Sequence, residues 1–419
     1  MVAPRTPMSA CPNICRHCGA ALVQSFADLG LSPLANSYLK PEDLHSAEPF
    51  FPLRAYVCEK CWLVQLVHSI SPEELFSHYS YFSSYSETWL QHASDYANQA
   101  VDRFRLDSGT LVIEIASNDG YLLQYFKEKD IPVLGIEPAQ NVAKVAEQSG
   151  VSTLTAFFSQ ALAAKLATQA KRPKLLVGNN VLAHVPDIND FVAGLKTLLA
   201  QDGVITLEFP HLLRLMEHNQ FDTIYHEHFC YFSLMAVETI FASHGLRIFD
   251  VDELTTHGGS LRIYACHAEN NENPDTENLH QLRTLEHKAG LHKLETYTAF
   301  GEKVKATKRN LVSYLIELKN QSKTIVGYGA PAKGNTLLNY CGIGRDFLDY
   351  TVDRNPHKQG LFLPGTHIPI YAPEKIAETK PDYVLILPWN LKDEIINQMA
   401  HVRSWGGKFI IPIPTVQEI

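Results

Sequence analysis

The stretch TLVIEIASNDGYLL, residues 110–123, decides the fold of the central part of this chain. Its first half is a short apolar run, which is typical of a buried β-strand, and small and polar residues follow it in a turn. Gly120 lies where the next helical segment begins. A strand, a tight turn and a helix in this order predict the first unit of a nucleotide-binding α/β fold, with the ligand at the turn.

Apolar strands and helical segments alternate around this stretch, from residue 107 to residue 265. Further strands are expected in PVLGIEP (132–138), KLLVGNN (174–180) and GVITLEFP (203–210), with helical periodicity between them. This alternation predicts a parallel, doubly wound sheet. A second α/β pattern starts with TIVGYGAPAKGNTLLNYCG, residues 324–342.

The composition also changes along the chain of 419 residues, which is long enough for several domains. Five of the eight cysteines lie before residue 70. We therefore expect a cysteine-rich domain at 1–70, a ligand-binding α/β domain at 71–275 and a second α/β domain at 276–419.

The charge and hydropathy of the chain exclude several classes of protein. A net charge of −9 with scattered basic residues argues against a nucleic-acid surface. No apolar run approaches the roughly 18–20 residues that cross a bilayer, and the N-terminus lacks the apolar segment of a secretory signal. We therefore expect a cytoplasmic protein with no membrane or nucleic-acid partner, in which cysteines are reduced or bound to metal.

Two cysteine pairs in the N-terminal segment have the spacing of a zinc site. Two residues separate Cys15 from Cys18, and two separate Cys58 from Cys61. Each short turn presents two sulfurs to one ion, and four thiolates suit a tetrahedral zinc. Because such a site has no open position for water, we expect a structural zinc that does no chemistry. A redox-active cysteine pair is the alternative, and Cys11 is a possible replacement ligand.

The turn after the first strand lacks the G-x-G-x-x-G pattern that binds a pyrophosphate. Its small residues let the backbone approach a ligand, and Glu137 ends the second strand, where an acid can bind ribose hydroxyls. Together these signals favour an adenosine cofactor over a dinucleotide, whereas the alternative is a buried turn and a solvated acid. The predicted cofactor contacts are Glu114, Ala116, Ser117, Asn118, Gly120, Tyr121, Glu137, Pro138, Phe157, Asn179 and Asn180.

Ten segments along the chain resemble those of one known family. The chain is similar to S-adenosylmethionine-dependent C-methyltransferases of nucleotide-linked deoxysugars, which add a branch methyl group at C3″ of a 4-keto sugar. The segments run in family order over nearly the whole chain. They are Cys15-x2-Cys18, SPLANSY (32–38), FPLRAYVCEKCWLVQL (51–66), YSYFSSYSETW (79–89), EIASNDGYLL (114–123), GIEP (135–138), NVLAHVPD (180–187), YHEHFCYFS (225–233), HGGSLR (257–262) and GYGAPAKGNT (327–336).

The resemblance implies a zinc-binding head, a class I (Rossmann-like) methyltransferase core and a C-terminal Rossmann-like α/β domain. It also implies S-adenosylmethionine as methyl donor, a structural Zn²⁺, a nucleotide-sugar substrate carried on dTDP or GDP, and a monomer. One departure is Ala116, which stands where general methyltransferases of this fold have a glycine.

The resemblance assigns catalysis to Tyr225, Glu227 and His228, with His184 nearby. A base must remove the C3 hydrogen of the keto sugar, and a donor must stabilise the enolate oxygen. We expect His228 to be the base, because an imidazole titrates near neutral pH, and Tyr225 to be the donor. Glu227 is expected to fix the histidine's tautomer or to bind the sugar. His184 is a second candidate for base or donor, although a lone histidine at a strand's carboxyl end has a structural role equally often.

The segment YHEHFCYFS also predicts local geometry. In an extended strand Tyr225 and Glu227 share a face, whereas in a turn Tyr225 and His228 do. A mechanism in which Tyr225 and His228 act on one sugar therefore requires a turn here. A metal site is not expected, because the segment lacks the i, i+4 histidine pair of a zinc-protease helix.

Two further segments are candidates for binding the nucleotide sugar. GYGAPAKGNT (327–336) reads as a strand, a Gly-rich turn and a helix, whose backbone N–H groups suit a diphosphate. The aromatic segment at 79–85 is the second candidate and could contact the sugar. Packing alone is the other interpretation of both segments. The predicted substrate contacts are Tyr79, Tyr81, Ser84 and Tyr85 for the sugar, and Lys333 and Asn335 for the diphosphate.

Two alternative functions remain open from the sequence. One is methyl transfer to oxygen, nitrogen or another carbon of a related substrate. The other is an inactive zinc-containing binding or assembly protein, which the intact Tyr225, Glu227, His228 and Glu137 argue against.

Overall fold

The computed structural model describes residues 13–67, 83–85, 87–169 and 171–419. Three β-sheets of four, seven and six strands organise the described part of the chain. None of the helices in these ranges combines the length and apolar character needed to cross a membrane.

The described strands and α-helices follow the chain in this order. The strands are β1 (Gln24–Ser32), β2 (Phe51–Val57), β3 (Val64–Leu66), β4 (Val112–Ile115), β5 (Val133–Ile136), β6 (Thr153–Leu154), β7 (Leu175–Asn179), β8 (Val204–Pro210), β9 (Cys230–Tyr231), β10 (Leu246–Leu254), β11 (Ser260–His267), β12 (Ile325–Tyr328), β13 (Thr351–Val352), β14 (Ile370–Tyr371), β15 (Tyr383–Ile386), β16 (Lys408–Ile411) and β17 (Gln417–Glu418). The helices are α1 (Glu87–Phe104), α2 (Leu123–Lys127), α3 (Gln140–Gln148), α4 (Gln160–Thr168), α5 (Ile188–Leu198), α6 (Leu212–Glu217), α7 (Leu234–Ser243), α8 (Glu277–Lys288), α9 (Leu294–Asn320), α10 (Ala332–Cys341), α11 (Lys375–Thr379) and α12 (Lys392–Gln398).

The central sheet has the strand order β10-β11-β8-β7-β4-β5-β6. Only β11 runs antiparallel to its neighbours, and the other pairings are parallel. Helices start at polar caps between the strands: the side chains of Asp187 and Ser233 accept N–H groups of the first turns of α5 and α7. The predicted doubly wound α/β core is therefore confirmed.

The C-terminal sheet has the order β14-β13-β12-β15-β16-β17 and is parallel except for β17. Its strands β12, β13, β15 and β16 are buried almost throughout, as expected of a parallel sheet with helices on both faces. The Gly-rich segment at 327–336 runs from the end of β12 into α10, so the expected strand, turn and helix are present there.

The N-terminal sheet has the antiparallel order β1-β2-β3-β9. Its last strand comes from residues 230–231, far along the chain and inside the range 71–275. We call residues 13–67 the head. Although the head begins the chain, the segment that contains YHEHFCYFS completes its sheet.

The head also packs against the long helix α9. The ring of Phe26 stacks on Phe300, with ring centroids 4.6 Å apart, and Trp62 stacks on Tyr297 at 5.6 Å. Phe26, Tyr297 and Phe300 are almost fully buried. Burial of each such side chain contributes about 1.5–3 kcal/mol, so this contact fixes the head firmly to the C-terminal half.

Candidate active site

The four predicted zinc ligands form one cluster. All four sulfurs lie within 4.8 Å of one another, and the Cys15–Cys61 and Cys18–Cys58 pairs are each 3.5 Å apart. Zinc with bonds of about 2.3 Å places its four sulfurs about 3.8 Å apart, so the cluster fits a tetrahedral ion. A redox pair would need only two of these thiols, whereas the four-sulfur cluster fits a structural zinc. Cys11 lies outside the described residues.

Residues around the zinc cluster shape it further. The carbonyls of Cys15 and Cys58 accept N–H groups four residues later, which forms two tight cysteine-bearing turns. Gln65 donates from Nε2 to the sulfur of Cys15 at 3.2 Å. Such outer contacts orient metal ligands.

The cofactor turn after β4 is built from left-handed backbone. Ala116, Asn118 and Gly120 have φ values of 57°, 50° and 81°. A left-handed conformation costs about 1–2 kcal/mol for a residue with a side chain. Ala116 thus keeps the backbone shape that a glycine would adopt at no cost, and the departure from the family pattern leaves the turn intact.

A buried carboxylate, that of Glu114, lies at this turn. Glu114 is fully buried at the end of β4 and faces the Tyr121 hydroxyl, yet neither carboxylate oxygen accepts a hydrogen bond of standard geometry among the described residues. Burial raises the pKa of Glu114 well above its usual value. A cofactor with an ammonium group, such as S-adenosylmethionine, fits this acidic site.

The other predicted cofactor residues lie at the carboxyl ends of β5 and β7. Glu137 accepts the backbone N–H groups of Asn118 at 3.0 Å and of Ala139 at 2.8 Å, one on each carboxylate oxygen. Each oxygen keeps a second lone pair, which suits a ribose hydroxyl. Asn179 donates to Tyr121 at 3.3 Å. This edge of the sheet is where ligands of doubly wound folds bind.

Three predicted cofactor residues differ in their exposure. Phe157 is 41% exposed after β6 and presents an apolar surface that suits an adenine ring. Pro138 is half-buried beside Glu137. The side chain of Ser117 is fully buried and faces Gly135 of β5.

The segment 225–228 forms a turn, which confirms the geometry expected from the sequence. The N–H of His228 donates to the carbonyl of Tyr225 at 2.9 Å. The two rings lie with centroids 4.1 Å apart. The turn therefore brings the side chains of Tyr225 and His228 together.

Backbone carbonyls set the tautomers of both histidines. Nδ1 of His228 donates to the carbonyl of Thr223 and Nδ1 of His184 donates to the carbonyl of Glu227, each at 2.8 Å. The two rings are 4.9 Å apart. The expectation that the Glu227 side chain fixes a histidine tautomer is therefore wrong, since main-chain carbonyls do so. In this neutral form, Nε2 of His228 carries the lone pair.

Burial tunes the titration of the acid–base groups. It lowers the pKa of His228 well below the usual value and that of His184 to about 4, so both rings are neutral at pH 7. Burial raises the pKa of Glu227 to about 7. The Oε1 atom of Glu227 accepts Nδ2 of Asn36, a head residue, at 2.6 Å.

The C-terminal domain contacts the segment just before the turn. Asp222 accepts the indole N–H of Trp389 at 2.7 Å, and Lys333 lies over the Trp389 ring, 4.8 Å from its centre. The ammonium of Lys333 donates to Oδ1 of Asn390 at 2.8 Å, and its charge, after burial, also lowers the pKa of His228 and His257. His257 contacts Asn180, with 3.2 Å between Nε2 and Nδ2.

The structure corrects the expected role of one substrate residue, Asn335, and shows a contact of a second, Ser84. Asn335 is 1% exposed, and its Nδ2 donates to the carbonyl of Ala35, so its side chain supports the head instead of a diphosphate. The hydroxyl of Ser84 donates to Asp119 at 2.6 Å and thus braces the cofactor turn. Tyr79, Tyr81 and the side chain of Tyr85 lie outside the described residues.

Sequence reasoning missed four residues of the site: Asn36, Asp222, His257 and Trp389. Asn36 and His257 lie in the family-like segments SPLANSY and HGGSLR, which gave a signal without a role. Asp222 and Trp389 lie 167 positions apart, and no local pattern connects them.

Family profiles match three consecutive parts of the chain. Residues 15–76 match a zinc binding domain, residues 89–251 a methyltransferase domain, and residues 255–414 a C-methyltransferase C-terminal domain. C-methyltransferase NovU of Streptomyces niveus is 40% identical over 405 residues, which cover 96% of this chain and 95% of that protein.

Solved structures match part of the chain at low identity. Magnesium protoporphyrin IX methyltransferase from Synechocystis with bound SAH is 16% identical, covers 42% of this chain and 83% of its own, and has a TM-score of 0.35. A S-adenosylmethionine-dependent methyltransferase from Clostridium acetobutylicum is 11% identical, with coverages of 42% and 92% and a TM-score of 0.34.

The full-length similarity and the profile matches agree with the four-cysteine cluster and with the cofactor turn of a methyltransferase core. The chain binds S-adenosylmethionine and zinc, and it belongs to the family of S-adenosylmethionine-dependent C-methyltransferases with an N-terminal zinc-binding domain and a separate C-terminal domain.

Proposed function

We propose that this C-methyltransferase methylates C3 of a nucleotide-linked 4-keto-6-deoxy sugar through an enolate. One observation carries the proposal: a tight turn holds a phenol and a neutral imidazole against each other, with ring centroids 4.1 Å apart, beside the cofactor edge of the sheet. A carbon next to a carbonyl needs such a pair, because one group removes its proton and the other stabilises the enolate oxygen.

His228 is the proposed base. Its Nδ1–H is held by the carbonyl of Thr223, which leaves Nε2 to take the C3 proton. Burial keeps the ring neutral at neutral pH, so it is in the basic form before the substrate arrives. His184, with its ring 4.9 Å away, is the second candidate for this role or for donating to the oxyanion.

The enolate oxygen at C4 requires a donor, for which we propose the Tyr225 hydroxyl. A well-placed donor to an oxyanion contributes a factor of about 10²–10³ to the rate. Lys333 and the first turn of α10 are the proposed contacts for the diphosphate. This assignment is supported by the charge of Lys333, which acts on His228 and His257, and by the start of α10, where no side chain caps the backbone N–H groups.

The methyl donor supports this chemistry at the carboxyl edge of the central sheet. S-adenosylmethionine, when bound, supplies the electrophilic methyl group that the nucleophilic C3 carbon takes up. The acidic Glu114 suits its ammonium group, and the lone pairs of Glu137 suit its ribose hydroxyls. Phe157 offers an apolar surface for the adenine.

The proposed partner is thus a small molecule, a dTDP- or GDP-linked 4-keto-6-deoxyhexose. We also propose that the enzyme acts as a monomer, because one chain supplies every group named above. Tyr79, Tyr81, Ser84 and Tyr85 remain proposed contacts of the sugar.

An assay of the purified enzyme tests this function. The enzyme is incubated with S-adenosylmethionine and a panel of dTDP- and GDP-linked 4-keto-6-deoxy sugars, and products are analysed by mass spectrometry and NMR. We expect the gain of one CH₂ unit, located at C3. A product methylated on oxygen, on nitrogen or at another carbon would contradict the proposal, as would no reaction with any member of the panel.

A further inference from the structure

One loop of the zinc-binding head reaches the acid–base groups. We call residues 33–39, between β1 and β2, the head loop. Asn36 donates to Glu227, and the head loop also contacts the Gly-rich turn of the C-terminal domain in two places. Tyr38 donates its hydroxyl to the carbonyl of Ala330, and the carbonyl of Ala35 accepts Asn335.

These contacts make the head a bridge between two parts of the active site. Residues 330–335 belong to the segment for which we propose diphosphate contacts, and Glu227 belongs to the acid–base turn. Leu39, at the end of the head loop, also pairs with Phe362 of the C-terminal domain. The two residues exchange backbone N–H···O bonds of 3.0 and 2.9 Å. The head loop is thus fixed at both ends while it holds Glu227.

The two residues of the contact between Asn36 and Glu227 differ in their exposure to solvent. Glu227 is only 7% exposed, whereas Asn36 is exposed. A buried carboxylate depends strongly on each donor that it has, because water cannot replace one that is lost. The separation of 2.6 Å between Nδ2 of Asn36 and Oε1 of Glu227 is that of a short hydrogen bond.

We propose that Asn36 is a positioning residue of methyl transfer, through which the zinc-binding head holds the Glu227 carboxylate in its working orientation. The role in methyl transfer rests on the proposed function, whereas the contact between Asn36 and Glu227 does not. The zinc has a structural part in catalysis by this route, because it holds the head whose loop carries Asn36.

The sign of the expected titration follows from the surroundings of Glu227. Burial raises its pKa to about 7, and the Asn36 donor opposes this rise. Removal of the donor therefore raises the pKa further, and the carboxylate form is reached only at higher pH. The titratable groups beside it are Tyr38 of the head loop, His184, which donates to the Glu227 carbonyl, and Tyr225, His226 and His228 of its own turn. Charged groups act one step further out, since Lys333 lowers the pKa of His228, and Lys358 and Asp353 act on Tyr38.

Two variants of Asn36 and one control test the role in turnover. Asn36→Ala removes the donor, and Asn36→Asp keeps the shape but replaces the donor with a carboxylate. Ser37→Ala is the matched control, since Ser37 is exposed in the same loop. We expect kcat at pH 7 to fall roughly tenfold or more in both Asn36 variants, with a smaller change in KM. The acidic limb of the pH profile should move to higher pH, while Ser37→Ala keeps the wild-type profile.

A direct titration of Glu227 keeps this test independent of the substrate. With ¹³C-labelled glutamate carboxyls, the Glu227 signal is identified by its loss in Glu227→Gln. We expect its midpoint to rise in Asn36→Ala and Asn36→Asp and to stay unchanged in Ser37→Ala. An unchanged midpoint in folded Asn36 variants would overturn the inference. So would a loss of kcat that is equal at every pH. If the midpoint shifts but no sugar is methylated, the proposed function fails and the positioning role stands.

Discussion

At the scale of single residues, burial divides the labour among the acid–base groups of the turn. The two histidines are kept neutral, and Glu227 is the group whose pKa, about 7, lies closest to the working pH. Groups with a pKa near the working pH are the ones that exchange protons most efficiently. We therefore propose Glu227 as a pH-sensitive group beside the proposed base His228, and not as a partner of a histidine ring.

Glu227→Gln should change how stability depends on pH. The folded-state pKa of Glu227, about 7, lies above its unfolded value, about 4.3. The folded state therefore binds more protons between these values, and the residue's contribution to stability is lost as pH rises through this window. Glu227→Gln has no carboxyl to ionise, so its stability does not decrease for this reason. We expect its free energy of unfolding, relative to wild type, to rise on the order of 1 kcal/mol per pH unit between about pH 4.5 and 7.

Urea unfolding of both proteins at several pH values measures this difference. Because all other groups are shared, the difference isolates Glu227. A difference that stays constant from pH 4.5 to 7 would show that the carboxyl titrates normally in the folded protein.

At the scale of elements, the acid–base turn is anchored on both sides. Before it, Asp222 binds Trp389 of the C-terminal domain. After it, β9 pairs with β3 of the head. The turn is thus set by two other domains, which explains how a segment of irregular backbone can hold two rings 4.1 Å apart.

Trp389→Phe should loosen the first of these anchors. It removes the indole N–H from a fully buried carboxylate whose other oxygen has no partner among the described residues. We expect a loss of about 1–3 kcal/mol in the free energy of unfolding and a lower kcat, because Thr223, beside Asp222, holds His228. Denaturant titration and steady-state kinetics measure the two effects.

Trp405→Phe is the matched control for this change. Trp405 also donates its indole N–H, to the carbonyl of Pro381 at 3.0 Å, but it is remote in sequence and contact from the turn. Its variant should lose stability and keep kcat per folded enzyme. Equal kcat in both variants would argue against the anchoring role of Trp389.

The sequence predicts features that depend on local spacing. The cofactor turn follows from a strand, small residues and Gly120, and the zinc site follows from paired cysteines two residues apart. The acid–base turn follows from the requirement that Tyr225 and His228 share a face. The sequence does not reveal contacts made by tertiary packing. The contact of Asn36 with Glu227 joins residues 191 positions apart, and that of Asn335 with Ala35 joins residues 300 positions apart. No local sequence pattern predicts such contacts.

At the scale of the whole molecule, the head is built into the enzyme. Its sheet takes a strand from residues 230–231, its core stacks on α9, and its loop holds Glu227. Four thiolates leave no open coordination position on the zinc. We therefore expect the metal to affect the reaction through the shape of the head.

Removal of zinc should impair both stability and activity. Structural zinc contributes directly to folding, so chelation is expected to lower the melting temperature and to abolish most methyl transfer. Metal analysis should find one zinc per chain, because the four cysteines form one cluster. Re-addition of zinc should restore both properties. Full activity in verifiably zinc-free enzyme would contradict the structural role of the head.

The exchange of the C3 hydrogen with solvent tests the central claim most directly. The enzyme is incubated with a nucleotide-linked 4-keto-6-deoxy sugar in D₂O without S-adenosylmethionine, and NMR follows the C3 signal. We predict that wild-type enzyme replaces this hydrogen with deuterium, and that folded His228→Ala does so about 10²–10⁴-fold more slowly. No exchange above the enzyme-free rate would contradict the enolate, and equal exchange by His228→Ala would contradict His228 as the base.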